Sequence, residues 1–310
     1  MSLNVGAKTT AAEVIDGVDL HGRTAIVTGG ASGIGTETTR ALAAAGARVI
    51  VAVRDVAKAR AVNAAVEVAE LDLASIRSVD AFTAGVDGPV HILVNNAGVM
   101  AAPFTQTADG FELQFGTNHL GHFALVQGLL PRLLEGAAQA GEARVVSVSS
   151  AGHRHSDVHL DDPNFHHRPY DRWQAYGQSK TANVLLAVEL DRRHAGDGIV
   201  ANALHPGGIL TPLQRHLSVA EQVELGWIDE RGRPLQDFKT TEQGAATSVY
   251  AAVSPDLSKR GGQYLEDCAV AAEYGGSGPF RGYMPYARDP KRAAELWERS
   301  EAWVEQARKG

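Results

Sequence analysis

The chain has 310 residues, and 29 Lys and Arg against 36 Asp and Glu give it a formal charge of −7. Hydrophobic residues make up 44% and charged residues 21%, which is the balance of a globular protein with a substantial core and excludes general disorder. A pI near 5.9 without a long basic run argues against nucleic-acid binding, and the single cysteine, Cys268, excludes an internal disulfide and a cysteine-rich metal site.

The N-terminal segment, residues 1–22, is predicted to be a lead-in to the folded domain. It has no apolar core of the kind that a signal peptide needs. No stretch of the chain approaches the roughly 18 consecutive apolar residues of a membrane span. The sequence therefore predicts a cytoplasmic protein without a membrane span.

Short β-branched runs then alternate with longer, alanine-rich helical stretches. The predicted strands cover residues 24–28, 48–53, 66–71, 90–94, 144–148 and 199–204. The predicted helices cover residues 33–45, 56–66, 75–85, 109–134 and 173–194. The strand runs show little polar alternation, which is typical of parallel strands buried on both faces. This order of elements predicts an α/β protein with a doubly wound Rossmann fold.

The pattern changes after the sixth predicted strand. Residues 205–240 mix Pro, Gly, Leu and charged residues without a clear period, so we interpret them as a lid or substrate loop with short helices. A helix at 242–253, a last strand around 262–265 and a C-terminal helix at 290–307 follow.

Together these elements predict a single domain. Its catalytic Rossmann part covers residues 23–270, and residues 271–310 are a C-terminal extension of the same domain. The central sheet is predicted to be mostly parallel and seven-stranded, with helices on both faces.

A glycine-rich turn directly follows the first predicted strand. Gly29, Gly33 and Gly35 stand between that strand and the next helix. Glycine there lets the backbone approach a pyrophosphate, and the helix N-terminus offers amide donors and a positive dipole. Spacing alone also fits a structural turn, but the position between the first strand and a helix favours a dinucleotide site.

The second predicted strand ends at Arg54, 19 residues beyond Gly35. NAD-preferring folds usually carry an acidic residue here for the ribose 2′-hydroxyl, whereas an arginine offers a charged, planar fork to a 2′-phosphate. We therefore predict a preference for NADP(H). Asp55 leaves NAD(H) binding open, and a solvated Arg–Asp pair in a turn is the alternative without a ligand.

Two more strand ends are candidates for the cofactor site. Asp72 follows the third predicted strand, where its carboxylate could accept a hydrogen bond from an adenine amino group or could cap the next helix. The fourth strand closes with the small and amide residues Asn95–Gly98 (NNAG), which could pass close to a ribose or merely end the strand.

Tyr176 and Lys180 lie four residues apart on the predicted helix after the fifth strand, and so share one helix face. A free phenol has a pKa of about 10, and a neighbouring ammonium favours the phenolate. The spacing alone could arise by chance. The fifth strand ends at Ser149 and Ser150, where either hydroxyl could face the ligand crevice of a doubly wound fold and bind a carbonyl oxygen.

These pieces follow one another in a characteristic order along the chain. They are TGGASGIG (28–35), NNAG (95–98), Asn118, the serine pair, Tyr176-x-x-x-Lys180 and His205-Pro206-Gly207-Gly208. Together they resemble the short-chain dehydrogenase/reductase family over roughly residues 20–270. The lead-in from Thr9 to Gly22, Arg54-Asp55 and Asn118–Phe123 resemble its retinol-dehydrogenase-like and WW-domain-oxidoreductase-like branch.

The resemblance implies a role for each matching residue. Ser150 binds the carbonyl oxygen, and Tyr176 is the general acid in reduction and the base in oxidation. Lys180 holds the nicotinamide ribose and lowers the pKa of Tyr176, and Asn118 binds a water that links Lys180 to solvent. The cofactor-binding residues expected on this basis are Gly29, Ser32, Gly33, Ile34, Gly35, Arg54, Asp72, Leu73, Asn96, Ala97, Gly98, Tyr176, Lys180, Pro206, Gly207, Ile209 and Thr211.

The segment between the serines and Tyr176 is rich in histidine and aspartate. A metal site is one interpretation, but the spacing matches no helical HExxH pattern, so we predict a polar surface loop and no metal. An apolar pocket over the nicotinamide is predicted from one set of residues: Phe104, His153, Trp173, Leu210, Leu213, Leu217, Leu225 and Trp227.

Two functions of different classes remain. The first is an NADP(H)-dependent oxidoreductase that interconverts a carbonyl and an alcohol on a mostly apolar small molecule. The alternative is a non-catalytic NAD(P)-binding regulator or scaffold of the same fold, although such proteins usually lose the Tyr or the Lys. The expected partner is a small-molecule substrate and not a nucleic acid, and the sequence leaves a homo-oligomer open.

Overall fold

The computed structural model describes residues 5–62, 66–278 and 280–310, and in these ranges eight strands form one sheet. The strands are β1 Thr24–Thr28, β2 Arg48–Val53, β3 Glu67–Glu70, β4 Ile92–Asn95, β5 Ala143–Val148, β6 Ile199–His205, β7 Tyr264–Glu266 and β8 Ala269–Val270. Their order across the sheet is β3-β2-β1-β4-β5-β6-β7-β8. The chain therefore reverses its winding direction between β1 and β4, which is where doubly wound sheets open a ligand crevice.

The helices alternate with the strands as predicted. They are α1 Ala11–Ile15, α2 Ile34–Ala44, α3 Val56–Val62, α4 Ile76–Ala84, α5 Leu113–Phe115, α6 Gly121–Ala140, α7 Arg172–His194, α8 Val219–Glu224, α9 Thr241–Val253 and α10 Pro290–Lys309. The end of the predicted helix 56–66 lies partly outside the described residues. In the ranges the structure describes, no helix combines the length and the apolar character needed to cross a bilayer.

Helices cover both faces of the sheet. On one face Leu93 of β4 belongs to the same buried cluster as Leu125 of α6 and Leu185 of α7, and helix α10 joins this core. On the other face Val27 of β1 shares a cluster with Leu42 of α2, together with residues of α1 and α9. The predicted doubly wound α/β architecture is confirmed, and part of the predicted lead-in is packed into the second core.

The sheet has one strand more than the seven predicted. Strands β1 to β7 pair in parallel, and β8 pairs antiparallel with β7. The turn between them consists of Asp267 and Cys268, both with positive φ (51° and 59°). A hairpin turn of this kind is usually signalled by Asn-Gly or Asp-Gly, and a strand of two residues is too short to show periodicity. The prediction of seven strands was therefore wrong.

The long helix predicted over 109–134 is also different in the structure. The carboxylate of Glu112 accepts the amide N–H groups of Gln114 (3.0 Å) and Phe115 (2.8 Å), so the first helical turn starts only at α5. Residues Gly116–Leu120 then form a π-helical segment before α6 begins. Periodicity calculated for an α-helix does not detect such a bulge, and bulges of this kind are frequent at functional sites.

Substitution of Gly136 in α6 tests how tightly this core is packed. A β-carbon at Gly136 would lie 2.0 Å from the carbonyl oxygen of Val90. We expect Gly136→Ala to lower the free energy of unfolding by about 1–3 kcal/mol in urea titrations, because α6 and the segment that precedes β4 must separate. Gly196→Ala is the control, since no described atom lies within 4 Å of its new methyl group. Equal stability of the two variants would contradict the packing described.

Candidate active site

The carboxyl ends of the central strands open into a cavity of about 1000 Å³. Its wall contains every residue predicted for the cofactor or for catalysis except Gly35 and Asn118. The cavity also extends beneath the segment 205–240, which was predicted to be a lid. Residues that are far apart in the sequence therefore meet at the switch between β1 and β4.

The glycine turn leads from β1 into the N-terminus of α2. Gly33 is the N-cap of α2 with φ 54° and ψ −134°, and none of the described side chains caps this helix end. The amide N–H groups and the positive dipole at the N-terminus of α2 thus face the cavity without a capping side chain. This arrangement suits a pyrophosphate. Gly35 has a packing role, because a β-carbon there would lie 2.4 Å from the carbonyl oxygen of Gly29.

Positive charge is concentrated where β2 ends. Arg54 and Lys58 line the cavity, and Arg215 approaches from the lid segment. Burial, and then the like charge of Arg54, lower the pKa of Arg215, which shows that the two guanidinium groups lie near each other. One carboxylate oxygen of Asp55 accepts the amide N–H of Lys58 (2.9 Å) at the start of α3. This end of the cavity therefore suits an anionic group.

Asp72 lines the cavity at the end of β3 and also fixes its own turn. Its carboxylate accepts the amide N–H of Ala74 at 3.0 Å, and its backbone N–H donates to the hydroxyl of Ser78 at 2.9 Å. The N-cap of α4 is Ser75, whose hydroxyl accepts the amide N–H of Ser78 at 3.4 Å, so the alternative that Asp72 caps this helix was wrong. A hydrogen bond from an adenine amino group to Asp72 stays a prediction. Leu73 follows it on the same wall.

Thr28, at the end of β1, ties the NNAG turn to the π-helical segment. Its Oγ1 accepts the amide N–H groups of Asn96 and Ala97, each at 2.9 Å, and lies 2.9 Å from Nε2 of His122. The other ring nitrogen of His122 is 2.9 Å from the carbonyl oxygen of Asn118. A carbonyl can only accept, so Nδ1 carries the proton and Nε2 accepts the hydroxyl proton of Thr28.

Burial keeps this histidine neutral. It lowers the pKa of His122 to about 4, with a smaller contribution in the same direction from the positive charge of Lys180. The sequence analysis quoted the segment Asn118–Phe123 only as a family likeness and missed this connection. The four-residue spacing from Asn118 to His122, one helical turn, was the signal that could have indicated it.

Asn118 is completely buried in the π-helical segment, and its side chain is fully occupied by the protein. Its Oδ1 accepts the amide N–H of Val99 at 2.8 Å, while Nδ2 donates to the carbonyl of Val99 and to Ser179 Oγ, each at 2.9 Å. It thus fastens the turn after β4 to α7. A water held by Asn118 stays a prediction.

Helix α7 delivers the tyrosine and the lysine to the cavity. Asp171 caps it by accepting the amide N–H groups of Trp173 and Gln174, both at 2.8 Å. Lys180 Nζ donates to the carbonyl of Val148 at 3.0 Å and lies 5.7 Å from the centre of the Tyr176 ring. The two side chains therefore share the face that is turned to the end of β5.

Only one of the two candidate serines keeps its hydroxyl for the cavity. Ser149 Oγ donates to the carbonyl oxygen of Lys180 at 2.7 Å. Ser150 accepts the amide N–H of Gly152 at 3.0 Å and is hydrogen-bonded to the phenol of Tyr176. The Tyr176 ring packs directly on Gly152, where a β-carbon would lie 2.7 Å from Cε1.

Desolvation dominates the electrostatics of this pair. Burial raises the pKa of the Tyr176 phenol to about 12, and the hydrogen bond with Ser150 offsets only part of that rise. Burial also lowers the pKa of the Lys180 ammonium to about 8. Tyr176 is therefore a protonated phenol at neutral pH in the chain itself, and a lowering of its pKa by Lys180 stays a prediction.

The wall next to Tyr176 is apolar. Met100, Ala101, Tyr176 and Leu217 form a small buried cluster, with Trp173, Leu213 and Trp227 packed against it. Of the apolar residues predicted for the pocket, four line the cavity: Trp173, Leu213, Leu225 and Trp227. Met100, Phe238 and Phe280 are among the further lining residues that the sequence analysis missed.

The other four predicted pocket residues are not part of the wall: Leu210, Leu217, Phe104 and His153. Leu217 lies in the buried cluster with Tyr176. Phe104 is 48% exposed and packs edge-on against Tyr170 at 5.2 Å. His153 is completely buried beneath the site, so the interpretation of its segment as a surface loop was wrong at this position. Its Nδ1 is 2.6 Å from the carbonyl oxygen of Ser150, and its Nε2 accepts the amide N–H of Met284.

Comparisons with known proteins agree with one another. The family described as "short chain dehydrogenase" matches residues 23–222. A Streptomyces lividans protein named "Probable oxidoreductase" is 50% identical over 294 residues, which cover 91% of this chain and 97% of that protein. Retinol dehydrogenase 12 of Homo sapiens is 40% identical over 293 residues, which cover 90% of this chain and 85% of that protein.

Solved structures with the same fold carry nicotinamide dinucleotides. The Pseudomonas aeruginosa RhlG/NADP active-site complex has a TM-score of 0.61 and 26% identity, over 80% of this chain and 95% of that chain. The 3-ketoacyl-(acyl-carrier-protein) reductase of Brucella melitensis complexed with NADH has a TM-score of 0.60 and 26% identity, over 79% of this chain and 96% of that chain.

The connection made by Thr28 can be measured directly. Thr28→Val keeps the shape but leaves the amide N–H of Ala97 without its acceptor and that of Asn96 with only the carbonyl of Val94 at 3.0 Å. We expect it to lower the free energy of unfolding by about 1–3 kcal/mol in urea titrations, the cost of unsatisfied buried groups. Thr28→Ser keeps the hydroxyl and should stay closer to the unsubstituted protein. Equal losses in both variants would show that the hydroxyl contributes nothing.

Proposed function

The chain belongs to the short-chain dehydrogenase/reductase family and is an oxidoreductase acting on CH–OH groups, and from this we propose a specific reaction. It interconverts a carbonyl and an alcohol on a mostly apolar small molecule. The cofactor is a nicotinamide dinucleotide, and we propose that NADP(H) is preferred. Tyr176 is proposed as the acid and base.

One observation carries the proposal: Ser150, Tyr176 and Lys180 lie on the wall of the same cavity as the glycine turn. A phenol, a hydroxyl bonded to it and a buried ammonium are the groups needed to hold a carbonyl oxygen and to exchange a proton with it. A regulator that only binds the cofactor has no use for this combination.

The residues around the cavity fit the parts of a nicotinamide dinucleotide. The uncapped N-terminus of α2 suits the pyrophosphate. Gly98 and Lys180 lie side by side on the wall, where they suit a ribose: a β-carbon at Gly98 would crowd Asn118 Oδ1 at 3.2 Å and would lie 3.5 Å from Lys180 Nζ. The segment Pro206–Thr211 lies on the same wall and is proposed to hold the nicotinamide carboxamide.

The proton chemistry follows from the state of the three side chains. When bound, the cofactor supplies a hydride to the carbonyl carbon or takes one from the alcohol carbon. In reduction, Ser150 donates a hydrogen bond to the carbonyl oxygen and Tyr176 gives that oxygen its phenolic proton. In oxidation Tyr176 acts in its phenolate form and takes the hydroxyl proton of the alcohol. The Lys180 ammonium stabilises the phenolate that exists between these events.

The preference for NADP(H) is supported by charge at the adenosine end. Arg54, Lys58 and Arg215 are close to one another around the end of β2, and a 2′-phosphate would neutralise part of this repulsion. Asp55, the residue that could favour an NAD ribose, uses one oxygen as the cap of α3. An apolar substrate is supported by the apolar surroundings of Tyr176, where Met100, Trp173 and Trp227 belong to or pack against the same cluster.

Replacing Tyr176 tests the proposed chemistry. We expect Tyr176→Phe to reduce turnover at least about a hundredfold, because the proton donor is lost. The equilibrium dissociation constant for NADPH should stay nearly unchanged, since the ring remains on Gly152. Absorbance of NADPH with a panel of aldehydes and ketones gives the first quantity, and fluorescence titration gives the second. Turnover retained by the variant would overturn the role of Tyr176.

Replacing Arg54 tests the cofactor preference. We expect the unsubstituted protein to bind NADPH more tightly than NADH. Arg54→Ala should weaken NADPH binding about tenfold or more and leave NADH binding unchanged, because a charged hydrogen bond to the phosphate is lost. Arg60→Ala is the control, an exposed arginine of α3 outside the cavity wall. Equal affinity of the unsubstituted protein for NADPH and NADH would contradict the proposal.

A further inference from the structure

The C-terminal segment contributes an aromatic wall to the cavity. Phe280 and Phe238 both line it, and their ring centres lie 6.4 Å apart. Both rings rest on Gly208, where a β-carbon would lie 2.9 Å from Phe280 and 3.0 Å from Phe238. The ring of His205 faces Phe280 at 6.0 Å. Two distant parts of the chain therefore close the same end of the cavity.

The backbone on both sides of Phe280 is anchored to the turn that follows the serine pair. Arg154 Nη1 donates to the carbonyl oxygens of Gly278 and Arg281, each at 3.2 Å. The guanidinium of Arg154 also lies over the ring of Tyr274 at 4.3 Å. These contacts restrict the positions that Phe280 can adopt.

The same turn connects this wall to Ser150. His153 lies three residues after Ser150, and its Nδ1 donates to the Ser150 carbonyl oxygen at 2.6 Å. Its Nε2 accepts the amide N–H of Met284 at 3.1 Å, and its own carbonyl oxygen accepts the hydroxyl of Tyr286 at 2.9 Å. Burial lowers the pKa of His153 to about 4, which keeps Nε2 an acceptor at neutral pH. These hydrogen bonds therefore hold the C-terminal segment that carries Phe280 in position relative to Ser150.

His205 lies at the base of this end of the cavity. Its Nδ1 accepts the amide N–H of Ala151 at 3.1 Å, so the ring proton is on Nε2. This end of the cavity is thus bounded by His205, by the rings of Phe238 and Phe280, and by the turn that follows the serine pair. A substituent of the substrate that extends in this direction meets rigid aromatic surface rather than solvent.

We propose that Phe280 is a specificity-determining residue, which limits the bulk of the carbonyl substituent that can lie beside Ser150. The inference rests on the proposed function and adds a substrate class to it: aldehydes and ketones with one compact or unbranched substituent. A branched substituent on that side would have to displace two packed rings and the backbone held by Arg154. A close-packed apolar wall discriminates about 10–200-fold for one added carbon of the substrate.

The test is a substrate series in which only one substituent grows. Acetophenone, propiophenone, isobutyrophenone and phenyl tert-butyl ketone keep the phenyl group constant, and n-alkanals serve as unbranched references. We expect kcat/KM of the unsubstituted enzyme to fall along the ketone series. Phe280→Ala should raise the ratio of branched to unbranched kcat/KM about tenfold or more. Phe280→Leu should give a smaller change in the same direction and serves if the alanine variant does not fold.

Val270→Ala is the matched control, an apolar truncation in β8, directly before the C-terminal extension, at a residue that is 42% exposed and outside the cavity wall. It should leave the ratio unchanged. An unchanged ratio in folded Phe280 variants overturns the inference, and so does a uniform loss of activity with weaker NADPH binding, which would mean that the ring only covers the cofactor. Absence of turnover on every carbonyl by the unsubstituted enzyme would instead overturn the proposed function.

Discussion

The removal of Tyr176 and Lys180 from water is the constraint on which the rest of the site depends. A rise in the phenol pKa from 10 to about 12 corresponds to about 3 kcal/mol in favour of the neutral form. Burial acts on the ammonium in the opposite direction, because each group disfavours its own charged form. In the chain by itself Tyr176 thus keeps its phenolic proton, as a general acid must. The phenolate of Tyr176, which is the base, needs additional positive charge nearby.

This constraint explains why the polar groups in contact with the pair have hydrogen-bond partners. Val148 supplies a carbonyl to Lys180, Ser150 is bonded to Tyr176, and Asn118 binds the turn after β4 on one side and α7 on the other. Any of these groups left without a partner in such a dry interior would be costly. The same network that satisfies them also fixes the distance between the cofactor side and the catalytic side.

The sequence predicted the fold and the family, because both depend on short, local patterns. Buried parallel strands are continuous apolar runs, and the glycine turn, Tyr176 and Lys180 have fixed spacing along one element. It did not predict β8, the π-helical segment Gly116–Leu120 or the burial of His153. These depend on positive φ values at Asp267 and Cys268, on an inserted residue in a helical ladder, and on contacts between residues more than a hundred positions apart.

The hydrogen bonds between Arg154, in the turn after the serine pair, and the C-terminal extension have a consequence for folding during synthesis on the ribosome. Arg154 and Gly278 are 124 residues apart, so at about 5–20 residues per second translation needs on the order of ten seconds to produce the second partner after the first. The strands that form the dinucleotide half emerge earlier and can pair with one another. A nascent chain would therefore form the dinucleotide-binding part of the cavity first. The substrate end of the cavity is completed only when the C-terminal extension has been synthesised.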